Sequence, residues 1–284
     1  MTFEILWKGW LMPSDIEMVE VSSTLKTLTE EQNRTIKAKF DEAKSKNPHF
    51  YDGPLWRFEG VKGVDEGVSI FVSPTTYLPH NVLRNEKGRD KQPLIIPENI
   101  QYPNPASINA VPVTSDNFAI IGIKGGISDQ VGLGAIGGFL KRYLPTKEMP
   151  NPKPESIFSA VQREIKEEST LVDNDMDIFE SRVMGAIYGS NKDTTFATYL
   201  PVKPRASEIT LKSNEHAATI SIPATEKRLE LFLEGYVDEA IHEIRFNNKD
   251  AEERYNKGKL KMVPVDHCYG DLSLLLENKK AERI

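Results

Sequence analysis

The sequence predicts an α/β protein: a mixed sheet held between helices over residues 106–284, preceded by a smaller α+β extension over residues 1–105. Three observations carry that expectation. Short β-rich runs recur at 110–114, 118–124, 183–188, 194–202 and 217–222, each of strand length and most bounded by turn residues. A stretch from Glu155 to Leu171 contains neither Pro nor Gly and repeats its apolar residues at helical spacing, and a second amphipathic stretch follows Thr225. Prolines crowd at 74, 79, 93, 97, 103 and 105, a composition suited to an extended connection, lid or domain boundary. The boundary is therefore drawn near Pro105.

Composition narrows the classes. With 284 residues, 39% hydrophobic and 27% charged, the chain is long enough for one large or two modest cores. A net charge of -6 supplies no global field for nucleic acid or an anionic membrane surface. Cys268 is the single cysteine, which excludes an intramolecular disulfide and a cysteine-rich zinc site. No run approaches the ~18 apolar residues of a membrane span, and the start lacks a cationic, apolar leader. The expected localisation is cytoplasmic.

In chain order, residues 3–11 are apolar and aromatic around Gly9, and Trp7 and Trp10 are expected to pack rather than face a partner. Thr29 to Gln32 fits a capping box for a helix reaching about Lys46. Leu55 to Lys62 and Val68 to Ser73 read as strands joined through Gly63 to Gly67. Ser115-Asp116-Asn117 marks a hairpin between the runs at 110–114 and 118–124. The glycines at 122, 125, 126, 132, 134, 137 and 138 fit no dinucleotide fingerprint and are expected in loops. Thr225 is expected to cap one long helix from Glu226 to about Phe246.

The chemistry concentrates in Arg163-Glu164-Ile165-Lys166-Glu167-Glu168. On a helix, Glu164, Glu167 and Glu168 share one face, while Phe158, Val161 and Ile165 form an apolar stripe beside it. Anions near a helix C-terminus are disfavoured by roughly 0.3 to 1 kcal/mol each, and a hard divalent cation would reverse that sign. A solvated charged face, with Arg163 and Lys166 as partners, is the plainer alternative.

The order from Glu155 through Arg163-Glu164-Ile165 and Glu167-Glu168 to Leu171 resembles the signature of the Nudix hydrolases, matching seven of its nine fixed positions. The opening glycine is absent at Met149, and the equivalent is Gly138, followed by an insertion over residues 139–154. The closing glycine is Thr170, which implies a different or strained helix exit. Lys141, Arg142, Lys147 and Lys153 in the insertion either meet substrate phosphates or face solvent.

The resemblance implies the Nudix α/β/α sandwich and Mg2+- or Mn2+-dependent cleavage of the diphosphate linkage in a nucleoside diphosphate joined to another moiety. Glu167 and Glu168 would hold the metal, with Glu164 as a further ligand or the base. Arg163 would orient the carboxylates and tie in Glu155, and the loop at Gly138 would hold a backbone carbonyl near the ion. A downstream glutamate would complete the site: Glu215, with Glu208 as rival, either of which would otherwise face solvent. The substrate is the expected partner, without nucleic acid or membrane, and a homodimer is compatible. The alternative is a Nudix-fold binding or regulatory module that has lost turnover. Asn47-Pro48-His49-Phe50-Tyr51-Asp52-Gly53-Pro54, with Arg57 and Thr75-Thr76-Tyr77, is similar to the extension of Nudix proteins that hydrolyse UDP-sugars.

Two other motifs are set aside. His242-Glu243 begins a zinc-protease pattern, but Phe246 stands where the second histidine is required. His267-Cys268 are adjacent and have no third group, so a packed cysteine and a surface histidine are expected.

Overall fold

Alternating side chains sort the central strands between two cores. In β5 (Ala106–Val113), Ile108 and Ala110 enter one apolar cluster while Val111 and Val113 enter the other. In β6 (Phe118–Lys124), Ile120 joins the first, and Ala119, Ile121 and Ile123 the second. A strand with both faces apolar has to be covered twice, and helices pack on both faces here. The computed structural model describes residues 3–23, 30–46, 52–64, 67–80, 104–124, 130–147, 149–150, 152–189, 192–212, 215–247, 249–258 and 261–283.

The other elements follow the chain. Before β5 come β1 (Glu4–Leu11), β2 (Ile16–Glu20), helix α1 (Glu30–Lys46), β3 (Pro54–Val64) and β4 (Gly67–Thr76). After β6 come β7 (Gln130–Gly134), β8 (Ile136–Phe139), α2 (Ile157–Glu168), β9 (Arg182–Tyr188), β10 (Thr194–Pro201) and β11 (His216–Pro223). The chain closes with α3 (Glu226–Leu233), α4 (Val237–Ala240), β12 (Glu243–Phe246), α5 (Lys249–Asn256), β13 (Lys261–Pro264) and α6 (Asp266–Lys280).

The large sheet runs β1-β9-β10-β5-β6-β11-β12, with β8 added on β5 and β7 on β6. It is mixed: β10 lies parallel to β5, while β9 and β6 are antiparallel to their neighbours. Helix α2 presents Phe158, Val161 and Ile165 to the first core, and α3 and α6 present Leu229, Phe232, Leu272 and Leu275 to the second. Among the described residues no helix is long and apolar enough to cross a membrane.

The boundary at Pro105 does not separate two cores. Strand β1 pairs with β9 in the large sheet, and Trp56, Phe58, Val68, Ile70 and Val72 of the small β2-β4-β3 sheet share the first core with α2. Trp7 and Trp10 pack, as expected, against the first and second cores respectively. Thr29, residues 47–51, the prolines at 93, 97 and 103, and Gly125 and Gly126 lie outside the described residues.

Two expectations are corrected. The helix expected to run from Glu226 to Phe246 ends at Leu233, because Gly235 takes a φ of 93°, and the chain resumes as a short turn of helix and then as β12 beside β11. Gly122, Gly132, Gly134, Gly137 and Gly138 lie in strands, not loops. Several stand where there is no room for a side chain: a Cβ on Gly137 would come 2.1 Å from the Ile108 carbonyl oxygen.

Candidate active site

Helix α2 begins where Ser156 accepts a hydrogen bond from the Ser159 amide (3.1 Å). Its final turn presents the acidic cluster. Glu164 and Glu168 are buried at 7% and 6% exposure, whereas the Glu167 side chain is 52% exposed. The helix exit needs no glycine. Ser169 is extended (φ -135°) and donates to the Ile165 carbonyl through both its N–H and its hydroxyl. Thr170 is then tethered to Thr210, donating its N–H at 2.9 Å and accepting at its hydroxyl at 3.1 Å.

Three groups meet at Arg163. Its Nε and Nη2 donate to the two Glu155 oxygens at 2.9 and 3.0 Å, Nη2 also donates to the Phe139 carbonyl at 3.1 Å, and Nη1 donates to Glu164 Oε1. Glu155 further accepts from the Lys141 amide (2.8 Å) and the Tyr143 hydroxyl (3.2 Å). This carboxylate therefore fastens the 139–154 segment to the helix. Gly138, on β8, lies directly against Glu164: a Cβ there would sit 2.4 Å from Oε1. Gly138 and Glu155, which the family resemblance groups with this helix, both touch its side chains.

Each carboxylate of the cluster faces a cation. Lys141 Nζ lies 3.3 Å from Glu167, and Lys124 Nζ, at the end of β6, lies 3.4 Å from Glu168. His216 Nε2 stands 2.6 Å from the same Glu168 oxygen. Burial alone would raise the pKa of Glu168, but the His216 hydrogen bond and the Lys124 charge outweigh it and hold Glu168 below the usual carboxylate range. Glu164 goes the other way: burial raises its pKa, Arg163 opposes this, and the neighbouring Glu168 and Glu167 charges add to the rise.

The sequence reading missed His216 and Lys124 and chose a neighbour instead. Glu215 is exposed in the turn before β11, where its amide donates to the Lys212 carbonyl at 3.2 Å. Its rival Glu208 accepts from the Arg205 amide at 2.7 Å, closing a turn of 3-10 helix. Among the described residues neither forms a hydrogen bond or ion pair with Glu164, Glu167 or Glu168. His216 does, because the β11 register slips between His216 and Ala218. That slip lets His216 touch Glu168 on the α2 side while Ala218 packs in the opposite core. No periodicity in the sequence announces it.

The N-terminal segment also borders the site. Tyr77 and His80 pack on the Phe139 ring at centroid distances of 5.8 and 5.6 Å, and Arg142 lies over the Trp56 ring at 5.5 Å. Arg57 is buried and paired with Glu59. His267 is buried against Thr195 (3.1 Å) rather than at the surface, and Cys268 is fully buried as expected.

Glu164, Glu167 and Glu168 offer only oxygen, the donor chemistry of a hard divalent cation. The lysine ammonium groups on Glu167 and Glu168 stand on oxygens such an ion would use. Among the described residues no group of three or more His, Cys, Asp or Glu is gathered in a ligating arrangement. The donor types fit Mg2+ or Mn2+, and both lysines would have to swing aside. Neither comparison with models of known families nor comparison with curated proteins finds a match for this chain.

Proposed function

We propose that this chain is a Nudix-type hydrolase that cleaves the diphosphate linkage of a nucleoside diphosphate joined to another moiety. The observation that carries the reading is the convergence of Gly138, Glu155, Arg163 and Glu164: glycine backbone against one carboxylate, and a guanidinium clamping the other across two elements. A mixed sheet with α2 on one face and α6 on the other agrees with the Nudix sandwich. Tyr77 beside Phe139 brings part of the UDP-sugar-like extension to the site and favours a nucleotide-sugar.

Glu164, Glu167 and Glu168 would hold Mg2+ or Mn2+, which when bound supplies positive charge to neutralise the bridging phosphates. Arg163, fixed by Glu155 and the Phe139 carbonyl, holds the helix end in register with β8. Before a metal ion binds, His216 and Lys124 favour the ionised form of Glu168 that the ion needs. Glu164, with its raised proton affinity, is suited to accept a proton from the attacking water at Oε2, the oxygen Arg163 leaves free.

One observation favours a second reading, a binding or regulatory module without turnover: every carboxylate of the cluster already has a cation of its own. Phosphate release from a panel of nucleoside diphosphate derivatives, with Mg2+ or Mn2+ against chelator, separates the two. The hydrolase reading expects metal-dependent release that Glu168→Gln lowers by about 100-fold or more at unchanged fold. Release by Glu168→Gln equal to the parent sinks it, and tight nucleotide binding without release supports the module.

A further inference from the structure

A cavity of about 660 Å³ opens between β1 and the C-terminal end of α6, lined by Lys8, Gly9, Trp10, Met184, Leu274, Glu277, Asn278, Ala281 and Arg283. Its size falls within the roughly 300 to 1,000 Å³ of small-molecule sites. It is separate from the acidic cluster: its floor, Met184 and Leu274, belongs to the second core, across the sheet from α2.

The β1 edge is shaped around it. Lys8 pairs with Gly185 and Leu11 with Val183, so Gly9 and Trp10 together stand opposite Met184 alone, and all three line the cavity. Such an extra residue bends a strand and re-aims its side chains, and bulges of this kind gather next to binding sites. Trp10 is half-buried, with its ring 5.4 Å from that of Tyr199.

The charge of the lining has one sign left over. Lys8 and Glu277 pair at 2.7 Å. The last carbonyls of α6, on Glu277, Asn278 and Lys279, already accept from the Ala281, Arg283 and Glu282 amides. The Arg283 guanidinium donates to the neutral Asn278 amide oxygen (3.2 Å) and forms no ion pair among the described residues. Apolar side chains, an indole and a guanidinium with no ion pair among the described residues together select a flat ring with a negative group.

We propose that this cavity is a binding site for a small aromatic anion, a planar ring bearing a phosphate or carboxylate, with Trp10 against the ring and Arg283 on the anionic group. It is a site distinct from the hydrolytic one and does not depend on that reading.

Isothermal titration calorimetry on the full chain tests it, with phenyl phosphate and benzoate as probes of the two anionic groups, and inorganic phosphate and benzyl alcohol as the parts alone. At least one intact probe is expected to bind saturably at one site, with each part about tenfold weaker or more. Arg283 is exposed, so Arg283→Ala spares the fold and is expected to weaken the probe by about tenfold. Glu168→Gln is expected to leave it unchanged. Absence of saturable binding for both probes, binding indifferent to Arg283→Ala, or binding lost in Glu168→Gln each overturns the proposal.

Discussion

Glu155→Gln isolates the clamp that joins the 139–154 segment to α2. The parent carboxylate side chain is 2% exposed and accepts from two Arg163 nitrogens, the Lys141 amide and the Tyr143 hydroxyl. The amide removes the charge and turns one acceptor oxygen into a donor facing donors. Stranding one partner of a buried ion pair costs roughly 3 to 5 kcal/mol, but Arg163 keeps Glu164 and is itself 16% exposed, so solvent and the second carboxylate return part of it. The expected loss is about 2 to 3 kcal/mol, which for a chain of this size lowers the melting temperature by roughly 4 to 12 °C. Differential scanning calorimetry reads the shift, with Glu180→Gln, an exposed carboxylate near Arg182, as the control. If Glu155→Gln melts with that control, the clamp contributes nothing and the account of the site fails at its base.

Three further outcomes are expected. Gly138→Ala should lose about 1 to 3 kcal/mol of stability, because β8 is paired to β5 and the new Cβ meets the Glu164 carboxylate at 2.4 Å; a denaturation midpoint equal to the parent would show that Glu164 moves freely. Millimolar Mg2+ or Mn2+ should stabilise the fold relative to chelator, by about 2.7 kcal/mol at a hundredfold excess over the dissociation constant if the cluster binds metal in the folded state only, and so raise the melting temperature; equal melts count against the metal. Asp271, buried beside Asn109 with its pKa pushed up to about 8, stays protonated when folded and ionises at about 4 when unfolded, so its contribution to stability falls as pH rises through that window. Asp271→Asn should flatten that part of the stability profile, and equal slopes in parent and variant between about pH 4 and 8 refute the assignment.

Much of this protein was legible from local pattern. Strands β3 to β6 and β9 to β11, helix α1 and the acidic helix α2 all follow from hydrophobic period and turn residues, because those signals reside in neighbouring residues. Local spacing carries Arg163 and Glu164 on one helix with Glu155 just ahead of it, whereas Gly138 was joined to them only by the family resemblance, across the insertion at 139–154. The end of α3 was locally marked too, by Gly235 with its φ of 93°, yet the helix expected from the apolar spacing ran through it to Phe246.

What the chain alone left open depended on pieces far apart in sequence. Lys124, Glu168 and His216 meet because β6 and β11 pair side by side and a register slip frees His216 from the alternation of its strand. The cavity at Trp10 and Arg283 exists because β1 crosses from the N-terminal region to β9 and the last turn of α6 ends beside it. Pairing across a sheet and packing between layers are long-range events, and a one-residue change of register exchanges the faces of a strand. Local periodicity carries no record of such a slip, so only the tertiary structure placed the groups that set the charge of both sites.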